Sequence, residues 1–184
     1  MRGLTSGLPV TTQSFGTLDL EGAPALAEAL EIGESCGVDL STHRSRPVGQ
    51  SSLAGVDLLL GFEQAHVGRA VVDADAPRGC AFTFRGIARL LADVRVPGKE
   101  SVVARARDVV EQLDGLRAAE SGPRLRDDMP DPFGHSWNVY RKTAVEILEL
   151  SVPLVSTLFG SSGIRELPEV PTRRARARRT LWGR

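Results

Sequence analysis

In "GVDLLLGFEQAHVGRAVVDA", residues 55–74, an apolar run bounded by glycines passes directly into a helical pattern. The run 55–62 is continuous rather than alternating. That suits a strand covered on both faces, as in a parallel sheet. Residues 63–74 read as the helix that follows it. Downstream, "CAFTFRG" (80–86) reads as another strand and "GIARLLADV" (86–94) as a short helix. Upstream, "LPVTTQSFG" (8–16) is rich in β-branched residues and ends at a glycine, which predicts a strand leading into a turn. Strands alternating with helices argue for an α/β layer fold with a small parallel sheet, here of three strands.

Three longer helices complete the pattern. Residues 23–37 have a Pro near the start, Ala and Leu at helical spacing, and a closing Gly. Residues 99–120 place apolar side chains at 102, 103, 106, 109, 110, 113 and 116 under a charged outer face. Residues 136–160 predict a long helix opened by Ser136 as N-cap and interrupted by Pro153. Between the last two lies a polar loop, "SGPRLRDDMPDPFGH" (121–135).

At 184 residues, with 41% hydrophobic and 25% charged side chains, the chain is the size of one soluble domain able to bury a core. No apolar run reaches the eighteen or so residues that a membrane span needs. The first residues, "MRGLTSGLPVTT", lack the apolar core of a secretory signal. Cys36 and Cys80 make neither a disulfide framework nor a zinc cluster, and a cytoplasmic location with reduced thiols is expected. Three scattered histidines, His43, His66 and His135, have no carboxylate at ligand spacing, so no metal is expected. Neither G-x-x-x-x-G-K-[ST] nor G-x-G-x-x-G is present, and no cofactor is expected.

Charge is uneven within a formal net charge of zero. Residues 161–184 hold seven arginines against two glutamates. This stretch reads as a basic, disordered tail after a domain at 1–160. "TRRARARR" (172–179) could meet an acidic partner, weighed against a merely solvated tail. The body carries no charge bias toward nucleic acid, and Trp182 alone is too little for a base-stacking platform.

Five segments in order carry a resemblance. They are "SFGT" (14–17), "GVDLSTHRSRPV" (37–48), "VDLLLGFEQAHVGRAV" (56–71), "FTFRGIARLL" (82–91) and "DMPDPFG" (128–134). Together they resemble the low-molecular-weight protein tyrosine phosphatases, in particular actinobacterial members, over roughly residues 8–160. The resemblance implies that family's three-layer α/β/α fold. It also implies its two-step phosphoryl transfer through a phosphocysteine, with phosphotyrosine proteins, such as a bacterial tyrosine kinase, as partners. Asp131 matches the general acid that protonates the leaving phenolic oxygen. Phe133 matches the aromatic wall against the substrate ring. Ser14 and His43 match positions that support the phosphate loop from beneath. Asp128 is expected to be a solvated loop charge.

The nucleophile does not match. The family's loop is Cys, five residues, Arg, then Ser or Thr, set between the first strand and first helix. Cys36 is followed six residues on by Thr42, and Cys80 reaches Arg85 one residue too soon. Both cysteines therefore read as small buried apolar residues. The expectation is a domain without the first strand, phosphate loop and first helix, with "MRGLTSG" as the frayed end of that helix. Met1 would be an internal methionine, or the gene cut. By resemblance the sheet order is 2-1-3-4, so the absent strand is an inner one whose loss bares its neighbours' edges. Whether the chain is an enzyme stays open. It is a phosphatase-like protein inactive as written, or a non-catalytic pseudophosphatase that docks partners. Arsenate reduction on a related fold is a weaker option, since neither cysteine sits where that chemistry needs it.

Overall fold

Leu58, Leu59 and Leu60 show why a short apolar run makes a sheet here. Side chains alternate along a strand. Leu58 and Leu60 pack into one core with Phe82, Ile87, Val109, Leu113 and Leu154. Leu59 packs into another with Val48, Leu53, Ala70, Ala74 and Ala76. The sheet therefore separates two apolar layers, and neither face of the run can be polar.

The computed structural model describes residues 8, 10–96, 98, 101–120, 125–160 and 168–172. Strands β1 (Leu59–Gly61) and β2 (Ala81–Thr83) pair in parallel, with Leu60 opposite Phe82. Helix α1 spans Ala27–Ser35, α2 Gln64–Asp73, α3 Phe84–Leu90, α4 Val102–Ala118 and α5 Trp137–Phe159. α2 packs on both strands, and the α3, α4 and α5 group fills the other side. The result is an α/β arrangement with helices on both faces of a small parallel sheet.

Local chemistry sets the boundaries. The hydroxyl of Thr83 accepts from the Gly86 N–H at 3.2 Å, so β2 turns directly into α3. Ser101 caps α4 in the same way through Ala104 N–H. α1 ends at Gly37, whose φ of 71° lets the Val38 N–H fold back onto the Gly33 carbonyl at 2.7 Å.

Three expectations need correction. The strand expected at 8–16 is absent among the described residues. Residues 10–15 have no regular structure, and Gly16 makes a single parallel bridge to Pro47. A lone extended segment cannot satisfy its N–H and C=O groups in a ladder without a strand beside it. Among the described residues the sheet accordingly has two strands rather than three. α5 runs through Pro153 without interruption. Pro153 lies on the exposed face, where water can reach the carbonyl that loses its N–H partner. Ser136 does hold the N-cap position, but its hydroxyl makes no cap bond. Its backbone carbonyl accepts from Val139 and Tyr140 instead.

The expected tail at 161–184 is described only at 168–172. There Val170 is buried against Ile32, Trp137 and Tyr140, and its carbonyl accepts from Arg141 Nε at 3.3 Å. This piece covers the seam between α1 and α5, because an apolar residue flanked by prolines is better buried than solvated. The rest of the expected tail, and the opening "MRGLTSG", lie outside the described residues.

Candidate functional site

Parallel sheets collect ligands at the carboxyl ends of their strands. In this chain that end is occupied by the loop before α5. The Met129 N–H donates to the Phe62 carbonyl, one residue past β1, at 2.8 Å. Asp128 Oδ1 accepts from the Gln64 N–H at 2.8 Å, the first residue of α2. Asp128 is thus a partly buried anchor at a helix N-terminus, not the solvated charge expected. The positive end of α2 favours its carboxylate.

Asp131 follows and points outward. It is exposed, and its Oδ1 accepts from its own loop, the Phe133 N–H at 2.9 Å. This bond to a residue two positions on is an Asx turn. Gly134 (φ 74°) and the His135 N–H on the Pro132 carbonyl then return the chain to α5. Phe133 is 63% exposed. Tyr140, buried in the first turn of α5, lies behind this turn. Burial first, then the charges of Glu28 and Asp131, push its hydroxyl above the usual tyrosine value.

Two arginines of α3 hold the loop. Arg85 Nε and Nη2 grip the two oxygens of Glu146 on α5 at 2.5 and 3.0 Å, and its Nη1 donates to the Asp128 carbonyl. Arg89 Nη2 donates to Asp127 Oδ2 at 2.8 Å, and its Nη1 pairs with Glu120 after α4. Asp127 is 8% exposed. Hydrogen bonds to these carboxylates are the main reason both guanidiniums are raised above their ordinary value. The sequence reading missed this clamp. Its signal was there, since Arg85 and Arg89 stand one helical turn apart in "FTFRGIARLL" and Asp127 and Asp128 are adjacent in the loop.

The other expected residues lie outside this loop. Ser14 is exposed, and its carbonyl accepts from Arg46 Nη2 at 3.4 Å. His43 is half-buried, its N–H on the Leu40 carbonyl and its own carbonyl on Arg44 Nη1 at 2.7 Å. Among the described residues neither side chain hydrogen-bonds to the Asp131 loop. His66 lies on α2 and His135 in the loop, as expected.

The cysteines are built as packing groups. Cys80 is buried, with its thiol donating to the carbonyls of Val56 and Pro77, both at 3.3 Å. Burial pushes this thiol up, the reverse of what a nucleophile needs. Cys36, half-buried, packs beside the cluster of Ile32, Trp137 and Tyr140. No group of three or more metal-ligating side chains occurs among the described residues, and none of their helices is long and apolar enough to cross a membrane.

The chain is similar to a low molecular weight protein tyrosine phosphatase. The crystal structure of that enzyme from T. tengcongensis superposes with a TM-score of 0.51 at 25% sequence identity, over 78% of this chain and 75% of that one. No protein-family model matches the chain, and no curated protein matches it. The structural likeness supports a tyrosine-phosphatase-like fold, and with it the expected fold class.

Proposed function

We propose that this chain is a phosphotyrosine-phosphatase-like module, of the actinobacterial type, that carries the acid side of phosphotyrosine hydrolysis. Asp131 is its general acid, and Phe133 is the wall for the phenol ring. The observation that carries this reading is the place of the Asp-Pro-Phe loop. It is fastened at the carboxyl end of β1, with its carboxylate exposed, in a fold like that of a tyrosine phosphatase.

In the reaction so read, a thiolate attacks phosphorus, the phosphorus–oxygen bond to the ring breaks, and the acid's proton goes to the departing phenolate. The 184 residues supply the acid and not the thiolate, because both cysteines are held as packing groups. On their own they are inactive toward aryl phosphates. Ser14 and His43 stand as supports for a phosphate loop. Phosphotyrosine proteins, among them a bacterial tyrosine kinase, are the partner class, and the arginines after residue 172 suit an acidic surface.

A chimera tests the acid. A strand–loop–helix unit bearing Cys, five residues, Arg is fused ahead of residue 8. It should hydrolyse an aryl phosphate, and Asp131→Asn should slow it by roughly 100-fold or more. A folded chimera that is inactive, or indifferent to Asp131→Asn, ends this reading. A second reading, a non-catalytic pseudophosphatase that docks phosphotyrosine proteins, is favoured by the capped, protonated thiol of Cys80. A phosphotyrosine peptide that perturbs the Phe133 and Asp131 NMR signals of the unmodified chain supports it, and silence there rejects it.

A further inference from the structure

The clamp on the Asp131 loop is independent of the cysteine side of the site. Its members are Arg85, Arg89, Glu146, Glu120, Asp127 and the Asp128 carbonyl, drawn from α3, α5, the end of α4 and the loop itself. Gly86 sits between the two arginines. A Cβ there would lie 2.5 Å from Thr83 Oγ1 and 3.2 Å from Asp127 Oδ2, so the loop meets α3 at the closest approach that a backbone allows. Arg85 spends two donors on Glu146 and a third on the Asp128 carbonyl. Only a planar fork can do this, because a lysine is a point charge on a flexible stem.

We infer that Arg85 and Arg89 are positioning residues for Asp131, fixing loop 127–131 at the carboxyl end of β1 whether or not a phosphate loop stands opposite. The role as acid rests on the reading above, but the fixing of the loop does not. Arg85 sets the loop's height through the Asp128 carbonyl. That height aligns the Met129 N–H on Phe62 and the Asp128 carboxylate on Gln64. Arg89 holds the preceding residue, Asp127, so the loop cannot slide along α3.

The test is residue-resolved amide exchange on the full 184-residue chain. It compares wild type, Arg85→Lys, Arg85→Ala, Arg89→Ala and a control, Arg107→Ala, whose exposed pair with Asp57 lies away from the loop. Arg85→Ala should speed exchange at Met129 and Gln64 by roughly 10-fold or more while Val109 and Leu113 in α4 hold their rates. Arg85→Lys should fail to restore protection although it keeps the charge. Arg107→Ala should leave the loop unchanged. Unaltered exchange at Met129 and Gln64 in both alanine variants would overturn the inference. So would an increase that only parallels Val109 and Leu113, because the arginines would then be general supports of the fold. Neither result depends on whether Asp131 donates a proton, so a failure of the acid reading is seen separately in the chimera.

Discussion

In the proposed function the loop at 127–133 and the stretches at 14–17 and 43–48 serve two sides of one site, and they are built by different means. The loop is fastened through partly buried ion pairs, a helix N-terminus and the end of β1. The 14–17 stretch has one bridge, Gly16 to Pro47, and exposed arginines on its carbonyls, Arg46 on Ser14 and Arg69 on Thr17. Arg46 also stacks over Phe15 at 4.7 Å from the ring centre. Ion pairs in a half-buried setting hold geometry, whereas exposed ones contribute little. The 127–133 loop is thus preset by ion pairs and a strand end, whereas the 14–17 and 43–48 stretches rely on one bridge, exposed arginines and the packing of Phe15 and Val48 on the Ala70 core.

The sharpest contrast comes from deleting apolar side chains on either side. Leu113 is 0% exposed in the core under the loop, and Leu113→Ala should cost about 2–5 kcal/mol in urea unfolding. Leu18, 64% exposed beside the 14–17 stretch, should change stability by less than about 0.5 kcal/mol when truncated to Ala. Equal losses would erase the distinction.

Gly86→Ala comes next. The added methyl meets the Thr83 cap and Asp127, so a loss of about 1–3 kcal/mol and a loosened loop are expected, read by thermal melting and exchange at Met129. Arg89→Ala strands Asp127 and should cost about 1–2 kcal/mol. This is less than for a fully buried pair, because the Arg89 side chain is 35% exposed.

Alkaline titration sharpens the comparison from another direction. Cys80 and Tyr140 belong to the packed side, and both are raised above their ordinary values of 9.0 and 10.0. The unfolded chain therefore releases these protons first. Their contribution is complete below about pH 9 and is lost as pH rises through the folded values. Denaturant midpoints should hold steady up to about pH 8 and fall beyond about pH 9. Thiol labelling should reach half-buried Cys36 before buried Cys80. The smallest effect is expected at Asp131→Asn, within about 0.5 kcal/mol of wild type, since the residue is exposed and Asn can keep the turn.

Much of the packed side could be read from residue order. The run 58–60, the periodicity of 102–116 and the Asp-Pro-Phe loop each carry a local pattern that the fold obeys. What could not be read was pairing across distance. Asp128 looked like a loop charge because Gln64, its partner, lies 64 residues away. Arg85 and Arg89 looked like the polar face of a short helix until Glu146 and Asp127 were brought to them. Residues 8–16 misled in the opposite sense. Their β-branched composition is genuine, but a strand is a property of two neighbours, and no second one stands beside them among the described residues. Pro153 likewise leaves α5 continuous, with its lost bond on an exposed face.

The most direct test of this contrast is the wild-type amide-exchange profile of the 184-residue chain. Met129 and Gln64, in the loop contacts, should exchange at rates close to those of α2 and α4. Gly16, Gly22 and Val48, bonded to the 45–46 backbone and to Gly16, should exchange at least about 10-fold faster. Protection at Gly16 and Val48 equal to or above that at Met129 would contradict the account, because the 127–133 loop would then have no scaffold that the 14–17 and 43–48 stretches lack.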